Sequence, residues 1–266
     1  MRAFRAVFLV GLGLYFVIPL LAMTRFAFQT VPVALLTPEK FLQGWSINGL
    51  LEVFADPEFQ RSAWISLQLV VLAVISTLAL LLPIASLIEI RAPHLRSLMS
   101  AITLLPWVVP PIALVVGVAA TFRTTVPWFL ASPYSLVPFY ILWALPFSYR
   151  ALDAGLRSIG ARTLYEASRV IGASTFTTIL RVILPNIVGS LIAASVLTAS
   201  LVLGEFAFAS LLLKETLPTF MAEFQRREPR AGMALALLVM LATAFIMWIG
   251  VRALRKRGLD LQAAGV

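Results

Sequence analysis

Three charged side chains share one face of a short helical pattern in the second half of the chain. They are Arg162, Glu166 and Arg169. A carboxylate flanked by two guanidinium groups can form salt-sensitive ion pairs with a partner protein. The opposite face repeats small and apolar residues at i, i+3, i+4 and i+7, namely Leu164, Ala167, Ser168 and Ile171. This spacing predicts a short amphipathic helix whose charged face is available for docking.

A second short pattern completes the segment LYEASRVIGASTFTTILRVILP, residues 164–185, and its apolar members are Phe176, Ile179, Leu180 and Ile183. Ser174 or Thr175 can cap this helix, and Pro185 stops the pattern. Gly172 can adopt a positive φ, which a sharp bend between the two helices requires. Helices this short are unstable alone in water, so we expect both to press on the protein or on a partner. An interfacial loop on lipid headgroups is the alternative.

One acidic residue, Glu205, lies well inside a long apolar run, LVLGEFAFASLLL. An ionisable group within a bilayer is unfavourable unless it is paired or hydrated. Two interpretations remain open. The carboxylate faces a translocation path and attracts a cationic solute, or it makes a structural hydrogen bond to a neighbouring helix or to the backbone at Gly204.

Residues for other chemistry are sparse. The chain has no cysteine, and its one histidine, His94, lies in the loop RAPHLRS without carboxylates beside it. No GxxxxGK[ST] motif is present, so the chain lacks that device for cradling nucleotide phosphates. We therefore expect no catalytic residue, no metal site and no cofactor on this chain.

The composition indicates which elements must position these residues. Of 266 residues, 61% are hydrophobic and 12% are charged, which is outside the usual balance of a soluble domain. The net charge of +9 comes from basic residues scattered between apolar runs, a distribution that argues against nucleic-acid binding. The sequence predicts one all-α integral membrane domain over residues 1–266.

Six apolar runs are long enough to cross about 30 Å of hydrocarbon. They cover about 6–28, 63–88, 98–121, 134–150, 187–213 and 231–251. The first run is longer than a signal-peptide core, so we expect it to be retained as a span. Prolines at 106, 110 and 111 should kink the third span. Small residues at Ala193, Ala194, Ser195 and Thr198 permit close helix approach in the fifth.

Lysine and arginine predict the orientation of these spans. With the N-terminus inside, the inner segments hold 13 of the 21 Lys and Arg residues. These are Arg2, Arg5, Arg91, Arg96, Arg150, Arg157, Arg162, Arg169, Arg181, Arg252, Arg255, Lys256 and Arg257. The positive-inside rule then places both termini and the loop of about 155–185 in the cytoplasm.

The central motif resembles the EAA signature of binding-protein-dependent ABC importer permeases. Its parts are Glu-Ala-Ser at 166–168, Gly172 six residues after Glu166, and Ile183-Leu184-Pro185. The stretches RSIGARTLYEASRVIGAS, DPEFQRSAWISLQL and SLVLGEFAFASLL are also similar to that family, and the resemblance runs from about Phe41 through Ile249. Two positions depart from the pattern. Ser168 replaces the second alanine, and Gly160 stands where the family often has an acidic residue.

This resemblance implies a type I ABC importer permease fold of six transmembrane helices, with a cytoplasmic coupling helix in the loop of about 155–185. It also implies that Glu166 meets a basic residue of a separate ATPase, that Ala167 and Ser168 allow close approach, and that Gly172 permits the turn. Arg162 and Arg169 belong to the same docking face. The implied partners are a second permease, as a paralogue or copy, two ATPase subunits holding ATP and Mg, and an extracytoplasmic solute-binding protein at a bacterial inner membrane.

The stretches GEFAFASLL and TLPTFMAEF are most similar to permeases of the polyamine, ferric-iron and aminoethylphosphonate importer group. A polyamine would suit Glu205, and a sugar is a further alternative. An ion-coupled secondary carrier should show internal pseudo-symmetry and several intramembrane charges. A membrane enzyme should show clustered His, Cys or carboxylates. Neither pattern is visible in the sequence, and only the importer interpretation explains the motif from Glu166 to Pro185.

Overall fold

Helices dominate the computed structural model, which describes residues 2–32, 35, 37–40 and 43–256. Helix accounts for 87% of the structure. The extended pairing within those ranges is an isolated antiparallel bridge between Gln29 and Trp45. The all-α prediction is therefore confirmed. Phe41, where the family resemblance begins, and Arg257, one of the orienting charges, lie outside the described residues.

The helices follow one another with short connections. In chain order they are α1 (Arg2–Phe28), α2 (Asn48–Ala55), α3 (Pro57–Arg91), α4 (Arg96–Val108), α5 (Pro111–Thr125), α6 (Pro127–Ala131), α7 (Val137–Ser158), α8 (Ala161–Val170), α9 (Thr175–Thr178), α10 (Leu184–Asn186), α11 (Val188–Leu203), α12 (Ala207–Leu211), α13 (Leu217–Arg227) and α14 (Pro229–Lys256). The π-helical residues Ile179–Ile183 join α9 to α10. Short 3₁₀ turns lie at Pro38–Lys40, Pro93–Leu95 and Pro133–Leu136.

Three described helices are long and apolar enough to cross a bilayer, and their spans are Val7–Phe28, Pro57–Arg91 and Pro229–Arg252. Two pairs of consecutive helices, each sharply bent between its members, raise the number to five if each pair is counted as one span. They are Pro93–Val108 with Pro111–Thr125 and Thr175–Asn186 with Val188–Leu203. Helix α7 overlaps the predicted fourth span, 134–150, and its 22 residues could cover about 33 Å. Arg150 and Asp153 lower the hydropathy of its C-terminal half, so α7 is not among these apolar helices. The six-span arrangement stays a prediction.

The predicted kink in the third span is confirmed, and it is a complete break. Residues Pro93–Val108 and Pro111–Thr125 meet at 86°. Pro110 and Pro111 carry no N–H, so the carbonyls four residues earlier lose their helical donors. The residue before a proline also disfavours the helical region, and Val109 is accordingly extended, with ψ of 122°. Pro106, by contrast, stays inside α4.

The helices fall into two compact units, each with its own core. One unit holds the described part of Met1–Ala63 together with Leu217–Ala242, and Val53, Phe59, Ala231 and Leu235 form its buried cluster. The other holds Trp64–Thr216 and the described part of Thr243–Val266. This second unit contains the loop of about 155–185 and Glu205, so it carries every candidate site residue.

Helices α7 and α11 pack through small residues in the second unit. A Cβ added at Gly155 would lie 1.9 Å from Oγ of Ser190, so glycine is required for this approach. Farther along the contact, the hydroxyls of Ser148 and Thr198 form a buried hydrogen bond of 2.8 Å. Ala193, Ala194 and Thr198 are buried, which confirms the predicted small-residue packing of the fifth span.

Replacing Gly155 with alanine should lower the free energy of unfolding by about 1–3 kcal/mol, because the new methyl group overpacks the contact with Ser190. The measurement is the unfolding midpoint of the purified protein in detergent. Gly117→Ala is the matched control, since no atom lies within 4 Å of a Cβ at this helical glycine. Adding Ser190→Gly to Gly155→Ala should restore the midpoint. Equal midpoints for Gly155→Ala and Gly117→Ala would contradict the packing argument.

Candidate functional site

The charged face around Glu166 lies on α8, which is 10 residues long. Gly160 precedes this helix with φ of 59°, a left-handed conformation that separates α7 from α8. A Cβ at Gly160 would meet nothing closer than 4.0 Å, so the requirement for glycine is conformational. Gly160, which departs from the family pattern, therefore supplies the turn between α7 and α8.

Helix α8 ends in a Schellman motif centred on Gly172, whose φ is 83°. The N–H of Gly172 donates to the carbonyl of Arg169, and the N–H of Ala173 donates to the carbonyl of Ser168, each at 3.0 Å. Nη1 of Arg169 also donates to the carbonyl of Ala173, at 2.9 Å. The two backbone bonds satisfy carbonyls in the last turn of the helix and need a left-handed residue at Gly172. The bend predicted there is confirmed.

The inner face of α8 holds the helix against the rest of the second unit. Ala161 and Ser168 are buried, and Oγ of Ser168 donates to the carbonyl of Leu164 at 2.8 Å. The hydroxyl of Tyr165 lies 3.5 Å from Nη2 of Arg91, at the end of α3, and 3.0 Å from Oγ1 of Thr175. Hydrogen bonds to Arg91 and then to Thr175 lower the pKa of the Tyr165 hydroxyl. Helix α8 is thus tied to α3 and to α9.

Two residues of the predicted inner face lie on the outside. Ile171 is 84% exposed, and Ala167 is exposed as well. Ile171 follows the last helical residue of α8, with ψ of 11°, so helical spacing no longer applies to it. The inner face begins at Ala161 and repeats through Leu164 and Ser168, and this register turns Ala167 outward. The predicted face of Leu164, Ala167, Ser168 and Ile171 therefore packs inward only at Leu164 and Ser168.

The outer side of this loop forms what we call the coupling surface. Its members are Arg162, Glu166, Ala167, Val170, Ile171 and Phe176. Val170, Ile171 and Phe176 are exposed by 87%, 84% and 72%, and we call these three residues the apolar tip. Beside the tip, Nε of Arg162 and Oε1 of Glu166 form an exposed ion pair of 2.9 Å. The surface combines apolar area with a charged edge.

The second amphipathic helix begins as predicted and ends differently. Ser174 caps it, since its Oγ accepts the N–H of Thr177 at 3.1 Å. Pro185 cannot donate to the carbonyl of Arg181, and the preceding residues widen into the π-helical turn. The helix ends at Asn186, one residue beyond Pro185, and the chain then bends by 77° into α11. The prediction that Pro185 itself stops the helix is thus off by one residue.

An ion-pair network that the sequence analysis missed lies at the base of the loop. Arg96, at the start of α4, pairs with Glu89 of α3 and, at 2.9 Å, with Asp153 of α7. Arg157 lies 3.9 Å from the other oxygen of Asp153. The side chains of Glu89 and Asp153 are only 12% and 14% exposed. The network ties three helices together. The Asp153–Arg157 pair has a local i, i+4 spacing, but the pairing of Arg96 with Asp153 joins residues 57 positions apart, which no local pattern reveals.

Glu205 lies at the break between α11 and α12 and is 7% exposed. Its Oε1 accepts the N–H of Phe208 at 2.7 Å, and its Oε2 accepts the N–H of Ala209 at 3.4 Å. The hydroxyl of Tyr140, on α7, lies beside this carboxylate. The geometry favours the second interpretation of the sequence analysis, a structural hydrogen bond that caps α12. Contact of Glu205 with solute stays a prediction.

Comparison with known proteins places this site in a family. The family model described as "Binding-protein-dependent transport system inner membrane component" matches residues 81–258, which include the coupling surface and Glu205. No curated protein matches the chain.

Three solved structures share the fold at low identity. A bacterial alginate ABC transporter, in complex with an alginate pentasaccharide-bound periplasmic protein, is 19% identical with a TM-score of 0.63, over 95% of this chain and 94% of that one. A bacterial ABC transporter involved in the import of alginate is 19% identical with a TM-score of 0.56, over 95% of this chain and 99% of that one. A methionine ABC transporter in inward-facing conformations is 20% identical with a TM-score of 0.58, over 74% of this chain and 94% of that one.

Replacing Glu205 with leucine should lower the free energy of unfolding by about 1–3 kcal/mol, because the N–H groups of Phe208 and Ala209 lose their acceptor in a buried site. Glu205→Gln keeps an acceptor oxygen and should cost less. Unfolding midpoints in detergent would measure both, with Glu52→Leu on the exposed face of α2 as the control. A Glu205→Leu protein as stable as that control would contradict the capping role.

Proposed function

The chain belongs to the family of binding-protein-dependent transport system inner membrane components and has the ABC importer permease fold, and from this premise we propose that its coupling surface docks on a separate ATPase. In this proposal, closure of the ATPase moves the loop, and the loop moves the helices that form half of a solute pathway. One observation carries the proposal, the exposed apolar tip of Val170, Ile171 and Phe176 beside the Arg162–Glu166 ion pair.

The coupling surface has the composition of a protein contact. Exposed apolar side chains that cluster beside charges mark interaction sites. Burying each large side chain of the tip would contribute about 1.5–3 kcal/mol, whereas the exposed ion pair contributes about 0.5 kcal/mol or less. The tip would therefore supply most of the affinity, and Glu166 with Arg162 and Arg169 would supply the orientation. Lipid headgroups remain the alternative partner for such a loop.

The loop is built to transmit a displacement. The hydrogen bond between Tyr165 and Arg91 ties α8 to α3, and the turn at Gly160 joins α8 directly to α7. The Arg96 network holds the same ends of α3, α4 and α7 together. A displacement of the coupling surface would thus reach several membrane helices through short, bonded connections.

The partners follow from the same proposal. We propose a second permease, as a paralogue or copy, two ATPase subunits that bind ATP and Mg, and an extracytoplasmic solute-binding protein. The family description supports the dependence on a binding protein, and the alginate transporter structure contains a bound periplasmic protein. The orientation proposed from the basic residues, with both termini in the cytoplasm, puts the coupling surface on the ATPase side.

The solute is the finer part of the proposal. The sequence resemblance offers a polyamine, ferric iron or aminoethylphosphonate, with a sugar as a further alternative. The polyamine alternative depends on a carboxylate that is free to meet a cation. Both carboxylate oxygens of Glu205 accept backbone hydrogen bonds, so this residue gives the polyamine alternative little support.

Charge reversal on the coupling surface should remove the ATPase from the complex. We expect both Glu166→Arg and Ile171→Asp to lower ATPase recovery at least about tenfold. Ile171→Asp loses apolar contact energy of about 1.4 kcal/mol or more, and Glu166→Arg sets a cation against the basic ATPase residue that Glu166 is proposed to meet. The measurement is mass spectrometry of proteins that copurify with the C-terminally tagged chain from its native membrane. Glu52→Arg, the same reversal on the predicted outer side, is the control. Full recovery with both surface variants, or no ATPase with the unaltered chain, would overturn the proposal.

Gly172 tests whether the loop must be rigid to couple. A left-handed conformation costs other residues about 1–2 kcal/mol, and no atom lies within 4 Å of a Cβ at Gly172, so this cost is purely conformational. Gly172→Val should speed hydrogen exchange of the α8 amides and abolish stimulation of the ATPase by the binding protein. Gly172→Asn should be milder, because asparagine tolerates this conformation. Full stimulation in Gly172→Val would contradict a rigid lever.

A further inference from the structure

Helix α7 is enclosed on almost every side. Between Phe139 and Leu156 its exposed residues are Phe147 and Arg150, and all others are buried or half-buried. Trp143 precedes them at helical spacing, so Trp143, Phe147 and Arg150 follow i, i+4 and i+7 along one narrow face. We call these three residues the α7 stripe. An otherwise buried helix thus presents two aromatic rings and one guanidinium group.

The aromatic part of the stripe is fixed by a neighbouring helix. Trp107 of α4 stacks on Trp143 with ring centroids 3.9 Å apart and planes 10° from parallel. Its Nε1–H donates to the carbonyl of Trp143 at 3.0 Å. Phe147 meets Trp107 edge to face at 5.3 Å. The polar edge of the Trp107 indole is therefore satisfied, while its side chain remains 40% exposed.

The stack borders a place that lipid cannot cover. Trp107 lies three residues before Pro110, where the helix breaks, and Val108 is 77% exposed. The carbonyls of Pro106 and Trp107 have lost their helical donors to Pro110 and Pro111. Broken backbone at membrane depth persists only where protein covers it or where it lines a water-filled cavity. The exposed break therefore indicates water or a partner subunit beside the stack.

The charge on the stripe has no counter-ion within the part of the chain that the structure describes. Arg150 makes no hydrogen bond or ion pair with a described residue, and the stripe itself carries no acid. The neighbouring carboxylate, Asp153, is already paired with Arg96 and Arg157. A guanidinium group presents a fork of donors that fits a carboxylate or a phosphonate. An arginine in this state, on the same helix face as fixed aromatic rings, selects an anion and disfavours a cation.

We propose that Trp107 and the α7 stripe bind the transported solute, and that this solute is a small anion with an apolar or ring-shaped face. Arg150 binds its carboxylate, phosphonate or sulfonate group, and the exposed side of the Trp107 indole, which Trp143 holds in place, packs against its apolar face. This inference rests on the proposed function, because it needs a solute that reaches an aqueous cavity of a permease. It replaces a polyamine with a solute of the opposite charge.

Three ring compounds that differ in charge test the site. The complex, purified with the subunits that accompany the tagged chain, would be placed in phosphatidylcholine nanodiscs and studied by equilibrium dialysis. The probes are phenylphosphonate, benzyl alcohol and benzyltrimethylammonium. We expect phenylphosphonate to bind at least about tenfold more tightly than the other two, because it alone can form charged hydrogen bonds with Arg150.

Variants then assign the binding to named residues. Arg150→Gln should weaken phenylphosphonate binding about tenfold or more, and Trp107→Ala should weaken it about threefold to tenfold. Arg157→Gln is the matched control, because it removes an arginine one further heptad along α7 that already faces Asp153. Its affinity should stay within about twofold of the parent, since its charge is already paired.

Four outcomes would overturn the site. They are no phenylphosphonate binding up to about 10 mM, unchanged binding by Arg150→Gln, tighter binding of benzyltrimethylammonium, and loss of the second permease from Arg150→Gln. Parallel measurements in phosphatidylglycerol nanodiscs distinguish a lipid-binding site from a solute-binding site. If Arg150 binds lipid, Arg150→Gln loses bound phosphatidylglycerol while phenylphosphonate binding stays constant. ATPase recovery with Arg150→Gln reports on the proposed function alone, so the two ideas can fail separately.

Discussion

The missing side chain of Gly155 is the constraint on which the second unit depends. It lets α7 approach α11 at Ser190, where even a methyl group would collide. In a bilayer, helices associate through close packing and hydrogen bonds, since lipid is as apolar as their side chains. The buried Ser148–Thr198 bond adds a polar link to the same contact. Helix α7 then meets the Trp107 stack, the Glu205 carboxylate, the Arg96 network and, through Gly160, the coupling loop.

Proline chemistry sets the shape of the helices around this pair. Pro110 and Pro111 end one helix and start another across an 86° bend. Pro185 acts differently, because it follows a π-helical turn and lets the helix run on to Asn186. In both places the missing N–H leaves carbonyls that need other donors. The result is a set of short, angled helices, with sharp changes of direction at Pro110 and after Asn186.

Local chemistry explains which features the sequence predicts. Glycine and proline act through their own backbone, so the bend at Gly172 and the break near Pro110 are readable without knowing the fold. The helical repeat wrongly placed Ile171 on the inner face of α8. The helix ends one residue earlier, at Val170, and the spacing of apolar residues does not show where a helix ends. In the sequence Glu205 lies inside one continuous apolar run, so the helix break between α11 and α12, where its carboxylate accepts backbone hydrogen bonds, could not be seen. The Arg96 network joins Glu89, Arg96 and Asp153, and distant pairings of this kind are set by tertiary packing.

The π-helical turn at Ile179–Ile183 fixes the direction in which the side chains before it point, relative to those after it. Each residue added to or removed from a helix rotates the rest of that helix by about 100°. Between Gly172 and the bend at Ile187 the chain therefore determines the direction that the apolar tip faces as well as its distance from α11. A one-residue deletion that relaxed the π turn to an α turn would keep every side chain of the tip and aim it elsewhere. The length of this loop is therefore constrained as strictly as the identity of its residues, although most surface loops vary freely in length.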